Sequence, residues 1–231
     1  MFSSKRRIGI AVACAAVVSM AVPGGSMAAV KVDLRVEGES RTLFERAVRA
    51  NPEVLRSTLG ENRGRYPCDV TGNGGPGRRA ATPTSALAAS GLKPGLNWYA
   101  SFTDFLVESV SGEAPEGSRY WSLFVNGKSS ELGGCQVALR NGDSVVWAVT
   151  DGSEPLLAIG SSGSSRSARV TVVVTDSLTG APVEAANVGG RSTDARGRLT
   201  LLRPARGTLR VKATKPGSIR SNTVRISARR R

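Results

Sequence analysis

The charged and aromatic residues of this chain are divided between two regions, and this division constrains the fold more than any other feature. Residues 166–231 hold 15 basic and 3 acidic side chains, a net charge of +12, whereas residues 30–165 carry a net charge of −1. Beyond residue 28, every Phe, Tyr and Trp lies between Phe44 and Trp147. A Gly/Ser-rich stretch near the boundary is typical of a flexible linker. The pattern predicts two domains, residues 31–157 and 168–228, joined by a linker over residues 158–167.

Residues 1–28 have the pattern of a secretory signal peptide. Three basic residues at positions 5–7 precede an apolar stretch over residues 8–22, and small residues ending at Ala28 provide a cleavage site. No later apolar run reaches the roughly 20 residues that a membrane helix needs. We therefore expect a secreted protein without a transmembrane segment, extracellular or loosely associated with the cell envelope.

Several side chains on which common catalytic mechanisms depend are missing from the sequence. The chain has no histidine, which excludes Ser-His-Asp and Cys-His nucleophile systems and histidine metal ligands. Cys14 lies in the predicted signal peptide, which leaves Cys68 and Cys135. In an exported protein these two are expected to form a structural disulfide. We expect no enzymatic activity and no cofactor.

The alternation of apolar and polar residues predicts a small α+β domain in the N-terminal part of the chain. Residues 47–59 contain Pro52, which predicts irregular structure or one short helix there. A helix with Thr84 as its N-cap is expected to end at Gly91, and Asn126-Gly127 indicates a hairpin turn. Strands are predicted over residues 32–36, 42–44, 120–125, 135–139 and 144–149.

Several motifs of this region occur together in the order of a known domain. They are Val36-Glu37-Gly38, residues 42–45, Cys68-Asp69, Tyr120-Trp121, Val125-Asn126-Gly127, Gly134-Cys135 and Gly142-Asp143. By these motifs, residues 31–150 resemble the transcobalamin C-terminal-like domain of secreted actinobacterial proteins. The resemblance implies a β-grasp-like fold related to modules that bind soluble ligands. In animal cobalamin carriers a separate helical domain holds the other face of the corrinoid. The sequence predicts no such domain, so the resemblance does not by itself imply a corrinoid ligand.

Aromatic residues of the N-terminal domain are candidates for lining a shallow ligand groove. In a strand over residues 120–125, Trp121 and Leu123 share one face, while Tyr120 and Phe124 lie on the other. One of these faces must be core, and the aromatic residues could equally fill the interior of a small domain. The sequence leaves both interpretations open. The candidate ligand-binding residues are Trp98, Tyr99, Tyr120, Phe124, Asn126 and Lys128.

The loop after Cys68 contains a partial cation-binding pattern. Residues 69–74 place side-chain oxygens at positions 1, 3 and 5 and a glycine at position 6, as in the first half of an EF-hand-like loop. The twelfth position, which should be a carboxylate, is Ala80, and Arg78 and Arg79 lie beside it. This composition favours a glycine-rich turn without a metal.

The C-terminal domain has short alternating strands, regular turns and no helical pattern, which predicts an Ig/prealbumin-like β-sandwich. The motifs are residues 179–183, 193–197 and 207–209. By these motifs the domain resembles the carboxypeptidase-regulatory-like or Cna-B-like family, whose modules serve as spacers and stalks in bacterial surface proteins. Some relatives carry a Lys–Asn cross-link from a lysine on the first strand. Here Arg169 flanks that strand, which contains no lysine, so we expect no cross-link.

Basic residues on the C-terminal strands predict a positive outer face. Arg210 and Lys212 alternate with Leu209, Val211 and Ala213, and Arg225 lies between two apolar residues. Such a face could be solvated without further function, or could attract anionic cell-wall polymers or lipid head groups. Nucleic acid is not expected as a partner, because this domain has no aromatic residue to stack on a base.

Two hypotheses follow from the sequence. The first is a secreted, non-catalytic binding protein, expected to be a monomer, which holds a small molecule or glycan in the N-terminal domain and associates with the envelope through the basic domain. The second is a structural or adhesive surface module without a small ligand.

Overall fold

The computed structural model describes residues 29–228. The predicted signal peptide, residues 1–28, and the three C-terminal arginines lie outside the described residues. The described chain is mainly β with few helices, which confirms the predicted fold class. None of the helices within residues 29–228 is long and apolar enough to cross a membrane.

The N-terminal region is built on a five-stranded mixed sheet in the order β2-β1-β9-β7-β8. Strands β1 and β9 are parallel, and the other pairs are antiparallel. Hairpins β3-β4 and β5-β6 and helix α1 cover one face of the sheet, and the largest apolar core lies between them. The elements are β1 Val30–Glu37, β2 Thr42–Ala50, β3 Glu53–Arg56, β4 Arg65–Cys68, a 3-10 turn Thr71–Asn73, α1 Pro83–Ala89, β5 Pro94–Tyr99, β6 Asp104–Val110, β7 Tyr120–Val125, β8 Lys128–Ser129 and β9 Ser144–Thr150.

Two segments of this region differ from the prediction. Residues 47–59, expected to be irregular or helical, form the end of β2 and strand β3, and Pro52 lies between them, where no ladder donor is lost. Residues 135–139, expected to be a strand, form a turn instead, because the amide of Cys135 donates to the Asp104 carboxylate (3.1 Å). The Asn126-Gly127 hairpin between β7 and β8 is confirmed.

The helix begins two residues earlier than predicted. Pro83 occupies the first helical position, where its missing N–H costs nothing, so Thr82 and not Thr84 is the N-cap. The Thr82 hydroxyl accepts from the Ser85 amide (3.2 Å), and the Ser85 hydroxyl accepts from the Thr82 amide (2.9 Å). This reciprocal capping box satisfies two amides that the helix itself leaves unpaired.

The C-terminal region consists of three small sheets around a second apolar core. Residues 157–162, mostly assigned to the flexible linker, instead form a strand that pairs with the strand Arg169–Asp176, so that part of the linker prediction is wrong. The Gly/Ser-rich composition led to the wrong prediction because the Gly and Ser residues of this strand face solvent, while Leu157 and Ile159 are buried. The strands are β10 Leu157–Ser162, β11 Arg169–Asp176, β12 Asn187–Val188, β13 Arg191–Ser192, β14 Arg198–Leu202, β15 Thr208–Val211, β16 Ala213–Thr214 and β17 Val224–Ser227.

The two regions pack against each other through a contact that we call the junction. The face of the N-terminal sheet opposite its main core carries apolar residues on β7 and β9, which meet apolar residues of the C-terminal region. Five buried residues form this apolar cluster: Phe124, Val146, Ala148, Leu156 and Ile219. Both faces of β7 and β9 are therefore covered, and the two regions are packed together rather than joined only by a flexible linker.

Candidate functional site

The predicted disulfide between Cys68 and Cys135 is present, and both residues are fully buried. It ties β4 to the turn after β8. Next to it, the Val70 amide donates to the Cys135 carbonyl (3.0 Å). The disulfide therefore fixes the start of the long Gly/Pro-rich loop to the turn after β8.

The oxygens of residues 69–74 are engaged within the protein. The Asp69 carboxylate accepts from the Gly72 amide (2.8 Å) and pairs with the Arg79 guanidinium (3.0 Å). The side-chain amide of Asn73 donates to the carbonyls of Pro67 and Thr103, both at 2.8 Å. These contacts give the segment a structural role, as expected for a turn.

The turn between β5 and β6 is held in a fixed conformation. The Gln136 side-chain amide donates to the carbonyls of Asn73 (2.9 Å) and Phe102 (3.0 Å). The Thr103 hydroxyl also donates to the Asn73 carbonyl (2.9 Å), although Thr103 has a left-handed φ of 49°. Through these hydrogen bonds, the loop that the disulfide holds in place also fixes the turn on which Phe102 is exposed to solvent.

An apolar concavity of about 500 Å³ lies beside this turn, and we call it the aromatic concavity. Three large apolar side chains around it are exposed: Tyr99 (38%), Phe102 (69%) and Leu106 (47%). Single exposed apolar residues are common, but a group around one concavity is characteristic of a contact site. Its lining consists of Tyr99, Phe102, Asp104, Phe105, Leu106, Glu131, Gly133 and Gln136.

Asp104 is the buried ionisable group of the aromatic concavity. Burial raises the pKa of its carboxyl from 3.8 to about 6, although hydrogen bonds from the amides of Cys135 and Phe105 act to lower it. One carboxylate oxygen accepts from both amides, at 3.2 Å and 2.6 Å. The side chain therefore joins the disulfide turn to strand β6 beneath the exposed aromatic residues.

The structure does not assemble the groove predicted from the sequence. Trp98 is buried and stacks on Tyr66 with ring centroids 4.2 Å apart, so it is part of the core. Phe124 is buried in the junction. Of the six predicted ligand-binding residues, Tyr99 lines the aromatic concavity.

The remaining predicted ligand-binding residues lie elsewhere. Tyr120 is 47% exposed at the start of β7, and Lys128 is exposed on β8. The Asn126 side chain donates to Asp143 (3.0 Å) and accepts from the Ser144 amide (2.9 Å), which fixes the hairpin turn.

Phe102, Asp104 and Leu106 line the aromatic concavity but were not among the predicted ligand-binding residues. The sequence signal was the pattern of β6, in which Phe105 and Val107 are buried and Leu106 faces outward. An outward leucine three residues after an aromatic turn indicates apolar surface outside the core.

The predicted basic residues divide into two groups. Lys212, expected to face solvent, lies in the junction, where its ammonium contacts Glu37 (2.6 Å) and Glu45 (3.1 Å), so that prediction is wrong. The carboxylates come from the N-terminal region and were invisible to a strand-by-strand analysis. Arg210 and Arg225 are exposed, as predicted, and face each other on β15 and β17.

Glu37 is the centre of an ionic cluster in the junction. It is 1% exposed and also accepts from the Arg220 guanidinium (2.8 Å) and the Thr42 hydroxyl (2.9 Å). Arg35 donates to the Arg220 carbonyl (2.6 Å), and burial lowers the pKa of the Arg35 guanidinium. The cluster therefore links residues of both regions through buried charged contacts.

Glu45, on β2 of the N-terminal region, completes the cluster by contacts to Lys212 and Thr223 of the C-terminal region. Burial acts to raise the pKa of its carboxyl, but hydrogen bonds from Thr223 and the charge of Lys212 hold it below the ordinary value. The Thr223 amide (2.5 Å) and hydroxyl (2.6 Å) both donate to this carboxylate. The negative charge of Glu45 is therefore neutralised within the junction.

Comparison with known families identifies one segment. Residues 95–151 match DUF4430, a domain of unknown function found in transcobalamin-like proteins. No curated protein matches the chain. Every residue that lines the aromatic concavity lies within the matched segment.

Proposed function

We propose that this is a non-catalytic binding protein that holds its ligand on the aromatic concavity. The observation that carries the proposal is the grouping of Tyr99, Phe102 and Leu106, three large apolar side chains exposed to solvent around one concavity. The match of residues 95–151 to DUF4430 supports a transcobalamin C-terminal-like architecture for the N-terminal region.

The composition of the chain supports binding over turnover. The chain has no histidine, and Cys68 and Cys135 are oxidised and fully buried. Asp104 accepts two backbone hydrogen bonds, which gives it a positioning role in the domain. Exposed rings and an aliphatic side chain suit a ligand with a flat apolar face, such as a sugar ring or a planar macrocycle.

The proposal is tested by titrating the protein with cyanocobalamin, cobinamide and chitohexaose. Trp98 reports binding, because its ring lies 5.0 Å from Phe105, which lines the concavity. We expect one of these probes to change the Trp fluorescence. In the double variant Phe102→Ser/Leu106→Ser its affinity should fall at least about tenfold, since exposed apolar anchors dominate such contacts.

The matched control is Leu178→Ser/Leu202→Ser, which removes two leucines that are 64% and 67% exposed in the C-terminal region. This variant should bind as the wild type does. Equal loss in both variants, or no response to any probe, would count against the aromatic concavity as the ligand site.

We further propose that the protein is exported and that its basic C-terminal region holds it near the anionic cell envelope. The excess of basic residues beyond residue 165 supports this role, as long-range attraction needs net charge. Sedimentation with isolated envelopes should decrease steeply between about 50 and 200 mM salt, a range over which the Debye length becomes shorter. Retention at high salt would contradict a role for charge.

The second candidate function is a structural surface module. The junction favours it, because a spacer needs a fixed angle between its parts, and Glu37, Lys212 and Arg220 supply buried contacts across the junction. Under this function, the aromatic concavity variant would leave cell attachment and every binding readout unchanged.

A further inference from the structure

A second cavity, of about 530 Å³, lies in the junction, and we call it the arginine cleft. One wall comes from β1 and β2 and includes Asp33, Glu45 and Ala47. The opposite wall comes from β15 and β17 and includes Arg210 and Arg225. The arginine cleft and the aromatic concavity have no lining residue in common.

Arg210 and Arg225 are directly opposite each other in the antiparallel pair β15-β17. Side chains at opposite positions project to the same face, and like charges there destabilise the sheet. At the neighbouring positions of these strands, Val211, Val224 and Ile226 pack into the C-terminal core, so the opposite face of the pair points away from it. The two guanidinium groups therefore share the face that looks into the cleft.

Nearby negative charge does not neutralise the two arginines. Among residues 29–228, no carboxylate lies within ion-pairing distance of Arg210 or Arg225. Glu45 is already engaged with Lys212 (3.1 Å) and Thr223. Asp33, exposed on the opposite wall, is the remaining acidic side chain of the lining. Arg35 and Arg46 also line the cleft, but Arg210 and Arg225 lie directly opposite each other on paired strands, and a bound anion would relieve their repulsion.

We propose that the arginine cleft is a binding site for a phosphate group. A guanidinium presents a planar fork of N–H donors that matches the oxygens of a phosphate. Two such forks side by side offer more donors than the two oxygens of a carboxylate accept, whereas a phosphate provides three or four oxygens. The proposal goes beyond general attraction to the envelope, since it assigns a defined site to two residues.

The test uses the full chain and inorganic phosphate, with binding measured by calorimetry in a phosphate-free, low-salt buffer. We expect the double variant Arg210→Gln/Arg225→Gln to bind phosphate at least about tenfold more weakly. The matched control is Arg196→Gln/Arg206→Gln, which removes the same charge from exposed positions outside the cleft. The control should bind as the wild type does.

Two further variants sharpen the test. Asp33→Asn removes the acidic side chain opposite the arginines, so it should strengthen phosphate binding severalfold. Arg210→Lys/Arg225→Lys keeps the charge but loses the planar fork, so it should bind more weakly than the wild type. Arg210 and Arg225 are exposed, and the circular dichroism spectra of all variants should match that of the wild type.

The source of the phosphate is distinguished by adding glycerol 3-phosphate and vesicles of phosphatidylglycerol. Tight binding of the small phosphates indicates a soluble ligand, whereas vesicle binding that depends on Arg210 and Arg225 indicates a lipid head group. Either result supports the site. If the cleft and control variants lose binding equally, or if wild-type protein binds no probe at millimolar concentration, the inference is wrong. Neither result affects the aromatic concavity, where Phe102→Ser/Leu106→Ser is the test.

Discussion

At the scale of single residues, Asp104 gives the protein a specific dependence on pH. In the unfolded chain its carboxyl loses a proton near pH 3.8, whereas in the folded protein it does so at about pH 6. The folded state thus binds a proton that the unfolded state has lost, so the contribution of Asp104 to stability falls as the pH rises from 3.8 to 6. Above that range the contribution is constant.

The variant Asp104→Asn should lack this dependence. Its unfolding free energy relative to wild type should rise by up to about 3 kcal/mol between pH 4 and pH 7, since one unit of pKa shift is worth about 1.4 kcal/mol. Urea titrations at several pH values measure this difference. Glu131→Gln, which removes an exposed carboxylate lining the same concavity, is the control. An Asp104→Asn difference that does not change with pH would refute the assignment.

At this scale the sequence was informative where the role of a residue depends on its own chemistry. For the cysteines it also depends on the expectation that the protein is exported. The disulfide was predictable because two cysteines remain after the predicted signal peptide. The burial of Trp98 was not, because its stacking partner Tyr66 belongs to another hairpin. Periodicity identifies which side of a strand a residue occupies, but not which side is covered.

At the scale of elements, the disulfide controls the order of the loop and of the turn it supports. The variant Cys68→Ala/Cys135→Ala reopens a connection of 67 residues. It should lower the unfolding free energy by about 4 kcal/mol in the chain-entropy description. Amide hydrogen exchange should become faster in residues 69–80 and in the turn around Phe102, where Gln136 and Asn73 act as clamps.

The contrasting region for that experiment is strand β11, which belongs to the second core. Its amides should exchange at the wild-type rate once the measurement is made under conditions that exclude global unfolding. If only β11 changed, the disulfide would not have the local role assigned to it.

The helix cap supplies a second prediction at this scale. Thr82→Ala removes the hydroxyl that accepts from the Ser85 amide and should cost about 1 kcal/mol. Thr84→Val is the matched comparison, because the Thr84 hydroxyl has no hydrogen-bond partner within the described residues. An equal or larger loss of stability in Thr84→Val, measured by urea unfolding, would contradict the assignment of Thr82 as the cap.

Element boundaries were predicted well where apolar periodicity and turn chemistry agreed. Strands β1, β7 and β9 and the Asn126-Gly127 turn follow the pattern. Residues 135–139 have equally good alternation, yet a carboxylate from β6 takes the amide that would have joined a ladder. Local pattern cannot detect a competing acceptor about thirty residues away.

At the scale of the whole molecule, the sequence predicted two regions but not their contact. One signal was present: residues 145–149 of β9 are apolar without interruption, which is typical of a strand covered on both faces. The ionic half of the junction gave no comparable sign, since Glu37 and Lys212 are 175 residues apart. A basic residue on an outer strand face is usually solvated, and only the packed structure reveals its partners.

The junction predicts that both regions unfold together. The buried apolar cluster and the Glu37 cluster couple the two cores, so calorimetry of the wild type should show a single transition. In Lys212→Ala, Glu37 keeps Arg220 but loses its closest cation, and Glu45 loses its ion pair. Because removing one partner of a buried ion pair costs about 3 kcal/mol or more, the coupling should weaken until the C-terminal region melts first.

Lys215→Ala is the matched control for this last prediction. Lys215 lies in the same C-terminal region, but its ammonium donates to the Glu184 carbonyl (2.9 Å) within that region and does not reach the junction. The control should keep the single transition and nearly the wild-type melting temperature. Two transitions already in the wild type would show that the junction does not couple the cores. A spacer with a fixed angle would then lose its physical basis, while the aromatic concavity, which lies wholly within the N-terminal region, would keep its own.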